Sequence, residues 1–201
     1  PAHPVPYTED VHFNRTIAYM TDDQRFAARR PDVLVFQTDI LAEDLTLGGP
    51  VVADLKVSIS GTDADFVVKL IDVFPDDFRY HQVAYGQGSQ GGGSYVMEGY
   101  QLLVRGEIMR GKYRNSFEKP EPFPVNKVTT VKFSLPDVAH TFKKGHRLMI
   151  QIQSSWFPLA DRNPQKFLNI YEANEADFQK ATIRIFHDGT NSSNIVLPIV
   201  K

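Results

Sequence analysis

Period-two alternation of apolar and polar residues constrains this chain more than any other feature. In VVADLKVSIS, Ala53, Leu55, Val57 and Ile59 share one face, and Asp54, Lys56, Ser58 and Ser60 share the other. HRLMIQIQSS repeats the pattern, with Leu148, Ile150 and Ile152 inward and Arg147, Gln151 and Gln153 outward. TTVKFSL puts Thr129, Val131, Phe133 and Leu135 on one face. TIRIFH pairs Ile183 with Ile185, and NIVLPIV aligns Ile195, Leu197 and Ile199. A strand shows alternate side chains to opposite sides, so such a pattern encodes one buried face. DFVVKLIDVF is apolar almost throughout and reads as a central strand, while DVLVFQT and GYQLLVRGEI bring the total to about eight strands.

Helical signal is thin. TDDQRFAARR offers Thr21 as an N-cap with Gln24 at the capping-box position, and Pro31 stops it. ANEADFQK supplies one or two turns. Many strands, turn-rich links and few helices predict an all-β fold, an antiparallel sandwich or jelly roll. The expected organisation is a linker and partly helical lead-in over residues 1–31 and a jelly-roll β-sandwich over 32–201. The start, PAHPVPYTED, has proline at positions 1, 4 and 6 and reads as a semi-rigid linker.

Composition narrows the chemistry. The 201 residues carry a net charge of −2, and no basic cluster is interleaved with aromatics, so nucleic acid is not an expected partner. No apolar run approaches the roughly 18 residues of a membrane helix, and no membrane association is expected. The chain has no cysteine, which removes disulfides, thiolate metal sites and a cysteine nucleophile.

YGQGSQGGGSYVMEGYQLLVRG contains Gly86, Gly88 and Gly91 in the spacing of a dinucleotide fingerprint. That fingerprint needs a helix after it, and a strand-like segment follows instead. A nucleophile elbow needs glycine two residues before Ser89, where Gln87 stands, and Ser94 has Val96 in place of the second glycine. The stretch Gly86–Gly93 is therefore expected to be a flexible link between strands.

The six histidines, His3, His12, His81, His140, His146 and His187, form neither an H-E-x-x-H nor an H-x-H arrangement. No catalytic residue, metal or cofactor is expected. Asp63, Asp65, Asp72, Asp76 and Asp77 cluster in sequence. They suit a calcium site or, the reading the residues favour, capping of turn N–H groups; no EF-hand loop is present. Asn14-Arg15-Thr16 and Asn191-Ser192-Ser193 match the N-glycosylation sequon, a motif too short to decide anything. SSWFPLADRNP holds the only tryptophan. Trp156 and Phe157 are candidates for an aromatic contact surface, and Trp156 alternatively caps the core. Arg162 and Asn163 are candidates for the same surface or for holding the loop by hydrogen bonds.

GTDADFVVKLIDVFPDD, DVAHTFKKGHRLMIQIQSSWFPLADRNP and the ending NIVLP resemble the C-terminal jelly-roll (galactose-binding-like) domain of cocaine esterase-like serine hydrolases and Xaa-Pro dipeptidyl peptidases. The lead-in, PVPYTEDVHFNRTIAYMTDDQRFAARRPDVLVFQT, is most similar to the α-amino acid ester hydrolase and glutaryl cephalosporin acylase branch. The resemblance implies an accessory domain whose partner is an α/β-hydrolase domain carrying a Ser-His-Asp triad upstream. It implies a small acyl ester or amide substrate, an extracytoplasmic bacterial setting, and compatibility with a homo-oligomer. It places Phe13, Arg15, Tyr19 and Met20 toward the substrate, and Trp156, Phe157, Arg162 and Asn163 toward the domain interface. The glycine-rich insert has no counterpart in that pattern. A second reading is a free-standing binding module, for example for carbohydrate, displaying Trp156 and Tyr171.

Overall fold

The computed structural model describes residues 23–78 and 97–200. Phe13, Arg15, Tyr19, Met20, the Thr21 cap, the Asn14 sequon and the Gly86–Gly93 link lie outside the described residues. Among the described residues, one short helix, α1 (Arg25–Ala28), precedes ten strands. These are β1 (Val33–Gln37), β2 (Leu45–Gly49), β3 (Val52–Ile59), β4 (Asp65–Val73), β5 (Gln101–Arg110), β6 (Thr129–Ser134), β7 (Val138–Phe142), β8 (Arg147–Gln153), β9 (Ile183–Phe186) and β10 (Asn194–Val196).

The first sheet runs β1-β8-β4-β5 and the second β10-β3-β6, with β9 also on β3. A ribbon of β2 and β7 completes the fold. All pairs are antiparallel. The successive strands β3 and β4 fall in different sheets, so the chain wraps around its core as a jelly-roll sandwich. Leu55, Val57, Phe66, Val68, Leu70, Val131 and Ile150 fill the space between the sheets. The inward faces read from the sequence for β3, β6 and β8 are these residues and their neighbours.

The outward face of the first sheet departs from expectation. Gln151 and Gln153 are buried, not solvated. The cause is a second apolar cluster on that side, formed by Val67, Ile71, Leu103, Met149 and Trp156 with Phe26 of α1 packed against it. α1 and the loop after β8 roof the sheet. β4 is thus covered on both faces, which explains its nearly unbroken apolar run. Ser58 is also buried, whereas Ile199, expected inside, is exposed beyond the end of β10. β1 is an edge strand with only Val33 buried.

The helical expectations shift in detail. α1 begins at Arg25 with Gln24 in the N-cap position, and the Asp23 carboxylate accepts from the Arg25 N–H. The Gln24 side-chain oxygen turns into the protein and accepts from Lys69 Nζ. ANEADFQK makes a single 3-10 turn at Glu175–Asp177, with a capping box between Asn174 and Asp177.

Candidate functional site: the roofed face of the first sheet and its loop

The roof is built around one missing side chain. Gly106 of β5 lies opposite Lys69 of β4. A Cβ at Gly106 would stand 2.6 Å from Trp156 Cη2. The bare backbone therefore lets the indole lie on the sheet, where Trp156 is only 5% exposed. Lys69 Nζ then sits 5.3 Å from the centre of the indole ring, within cation–π range. Trp156 is a roof timber, and the exposed-aromatic role considered for it does not apply to the folded chain.

The far end of the loop is tied down by Asn163. Its Nδ2 donates to Asp65 Oδ1 at 2.8 Å and to Asp63 Oδ2 at 3.2 Å. Its Oδ1 accepts from Gln165 N–H at 2.8 Å. Nearby, Gly61 allows the backbone to approach closely, since a Cβ there would meet the Gln165 carbonyl at 2.2 Å. Between these anchors the loop turns outward. Phe157 is 41% and Leu159 37% exposed. The Arg162 guanidinium stacks 4.5 Å from the Phe178 ring and lies 6.0 Å from that of Phe157. Of the four residues expected at an interface, Trp156 and Asn163 hold the loop from within, Phe157 is exposed, and Arg162 is half-buried against Phe178.

Asp63 and Asp65 are consumed by N–H donors. Asp63 Oδ1 accepts from the backbone of Ala64 and Lys112 at 2.9 Å each. Asp65 takes the Arg110 fork, Nε to Oδ1 and Nη2 to Oδ2, both at 3.1 Å. The same Arg110 Nη2 reaches the Asp161 carbonyl at 3.0 Å, so β4, β5 and the loop share one network. A cation would have to displace these donors. Asp72 lies elsewhere, and no group of three or more acidic or histidine side chains suited to a metal occurs among the described residues. The turn-capping reading describes Asp63; Asp65 is an ion-pair partner.

Burial pushes the Asp63 carboxyl up to about 6, the charge of Asp65 adds to the rise, and Asn163 and the backbone N–H groups oppose it. Burial likewise raises Asp65, against the pull of Arg110. A carboxyl raised on folding binds its proton more tightly in the native state. Its contribution to stability is complete below pH about 4 and is lost as pH rises to about 6. Asp63→Asn is expected to flatten this dependence, by up to about 3 kcal/mol between pH 4 and 7. Urea midpoints at the two pH values measure it.

Asp72 bridges two imidazoles: His140 Nε2 at 2.9 Å and His146 Nδ1 at 2.7 Å. An aspartate on His Nδ1 is half of a hydrolytic triad. Here no serine hydroxyl hydrogen-bonds either ring among the described residues. The His146 ring instead packs 4.6 Å from Phe74 and 6.1 Å from Phe78. The arrangement cross-links β4, β7 and the start of β8. Neither this pair of histidines nor Lys69, Gly106 and Arg110 was singled out by sequence reasoning. Lys69 alone left a signal, as the one cation inside an apolar run.

Two antiparallel sheets closed around one core, with a short ribbon beside them, define the class: a jelly-roll β-sandwich domain. Comparison with known proteins makes this particular. Residues 8–196 match the model of the X-Pro dipeptidyl-peptidase C-terminal non-catalytic domain, and the chain belongs to that family. It is 31% identical over 206 residues to a cocaine esterase of Rhodococcus sp. (strain MB1 Bresler), covering 100% of this chain and 31% of the esterase. An aminopeptidase from a marine sediment archaeon, Thaumarchaeota archaeon, is 40% identical with a TM-score of 0.85, over 99% of this chain and 32% of its own. An α-amino acid ester hydrolase is 42% identical with a TM-score of 0.85, over 98% of this chain and 31% of its own. The chain thus spans about a third of the length of each of these relatives. Burial of Trp156 and the family membership both disfavour the carbohydrate-module reading, although Tyr171 is exposed.

Proposed function

We infer that this chain is the C-terminal accessory part of an α/β-hydrolase-type serine hydrolase acting on small acyl esters or amides. The observation that carries the reading is the pair of structural relatives at 40% and 42% identity, an aminopeptidase and an α-amino acid ester hydrolase, of which a segment like this one is about a third. In this reading the nucleophile, histidine and acid come from the hydrolase part. There the serine attacks the acyl carbon, the histidine takes its proton and returns it to the leaving group, and an oxyanion hole holds the developing charge.

This chain contributes shape and water exclusion. The lead-in, residues 1–31, brings Phe13, Arg15, Tyr19 and Met20 to the cleft, and the sandwich, residues 32–201, buttresses it. Phe157, Leu159 and Arg162 form the docking tip of the loop. Support for that assignment is the contrast between the exposed apolar side chains of Phe157 and Leu159 and a base that is fixed by Trp156 and Asn163.

The test compares the 201-residue chain with the full-length gene product, using an α-amino acid ester as substrate. Hydrolysis by the full-length protein, blocked by a serine-directed fluorophosphonate, and none by the chain alone, is the expected result. Fluorophosphonate-sensitive hydrolysis by the chain alone overturns the reading. Phe157→Asp is expected to leave the chain's own stability within about 0.5 kcal/mol. In the full-length protein it lowers the temperature at which activity is lost.

A further inference from the structure

Lys69 is the least comfortable group in the molecule. It is 0% exposed at the centre of the first sheet. Its Nζ donates one hydrogen bond, to the neutral Gln24 Oε1 at 2.9 Å, and otherwise faces the Trp156 ring. Its cross-strand neighbours are Gly106 on β5 and Gln151 on β8. The Gln151 Oε1 accepts from no donor among the described residues, so the layer under the roof is also short of hydrogen bonds. Among the described residues, the groups shown against the ammonium, the Gln24 amide and the Trp156 indole, are neutral. Arg30, just beyond α1, is paired with Asp32 at 2.6 Å and adds repulsion. Arg25, at the start of α1, is paired with Asp23.

A buried ammonium with one neutral acceptor has two escapes: it loses its proton, or its cover lifts. β5 and β8 are hydrogen-bonded along their length to β4 and cannot lift without dismantling the sheet. α1 is four residues long. Among the described residues, Gln24 anchors it to the sheet through its N–H to the Gln101 carbonyl, its carbonyl from Gln151 Nε2, and its side chain from Lys69. So short an element lies at the low end of local stability.

We propose that α1 is a pH-gated strap, seated on the first sheet when Lys69 is neutral and released as Lys69 takes up a proton. Burial, and secondarily Arg30, pulls the Lys69 pKa from its ordinary value of 10.5 down to about 7 in the seated state. In the released state it returns to the ordinary value. Release therefore becomes about tenfold less favourable per pH unit between about 7 and 10, and levels off below 7.

Hydrogen exchange of the 201-residue chain, corrected for intrinsic rates, tests it between pH 7 and 8. Amides of residues 26–30 are expected to gain about fivefold in protection in the wild type, since Lys69 is half protonated at pH 7 in the seated state, and nothing in Lys69→Met, while β4 amides keep the same protection in both. Trp156 emission should titrate near pH 7 in the wild type alone. A wild type without the gain, a gain that persists in Lys69→Met, or an equal gain in β4 overturns the proposal. The last outcome would mean that the whole fold opens, not the strap. Failure here leaves the esterase comparison untouched, and failure there leaves the strap untouched.

Discussion

Trp156→Ala is expected to lower the unfolding free energy by about 3–5 kcal/mol, the range for truncating a buried large aromatic. The indole is the largest member of the second apolar cluster and spans Val67, Ile71, Leu103 and Met149. Its removal leaves a void above Gly106 that no neighbour can fill, because β4, β5 and β8 are fixed by their ladders. It also uncovers Lys69, which relieves part of the ammonium's burial, so the loss should lie toward the lower end at neutral pH. Urea denaturation at pH 7, followed by far-ultraviolet circular dichroism because the only tryptophan is gone, measures it. A loss below about 1 kcal/mol would show that the roof adds nothing to the fold. Exposed Phe157, one residue on, is the control: Phe157→Ala should change stability by less than about 0.5 kcal/mol.

The second large effect concerns Arg110. Arg110→Met preserves the length of the side chain but strips Asp65 of its ion-pair partner among the described residues. Breaking a buried pair from one side costs about 3–5 kcal/mol, because the remaining charge stays desolvated. Burial already raises Asp65, and without the guanidinium its pKa rises further. The sign follows. A native pKa above the unfolded one makes the penalty smallest below pH about 4, where the carboxyl is protonated in both states, and largest above the native pKa. The variant should therefore be nearly as stable as the wild type at pH 4 and markedly weaker at pH 7. Should it fail to fold at neutral pH, refolding at pH 4 still yields the comparison. Equal losses at both pH values would show that Arg110 acts by packing alone.

These two effects fall on residues that sequence reasoning weighed unevenly. Trp156 stood out as the lone tryptophan, yet its surroundings do not say whether it faces a partner or the chain's own sheet. Gly106, on a strand far back in the chain, decides that by lacking a side chain. Arg110 looks like any charged residue closing a strand. Its meaning comes from Asp65 and the Asp161 carbonyl, which the fold alone brings to it. Asn163 in sequence suits a loop-holding or an interface role, and its two carboxylate partners lie about a hundred positions upstream.

The sequence by itself determined the strands, their inward faces and the all-β class, because alternation is a local property and a strand's geometry turns it directly into two faces. It also carried the family, through long ordered blocks. It did not determine that the outward face of the first sheet is roofed. Gln151 and Gln153 look solvated by pattern, and Lys69 looks like a lone interruption of an apolar run. Whether a polar side chain meets water or another layer depends on segments far away in the chain, here α1 and the loop around Trp156. Only the tertiary structure brings those covers together, and only there does a lysine become a buried charge.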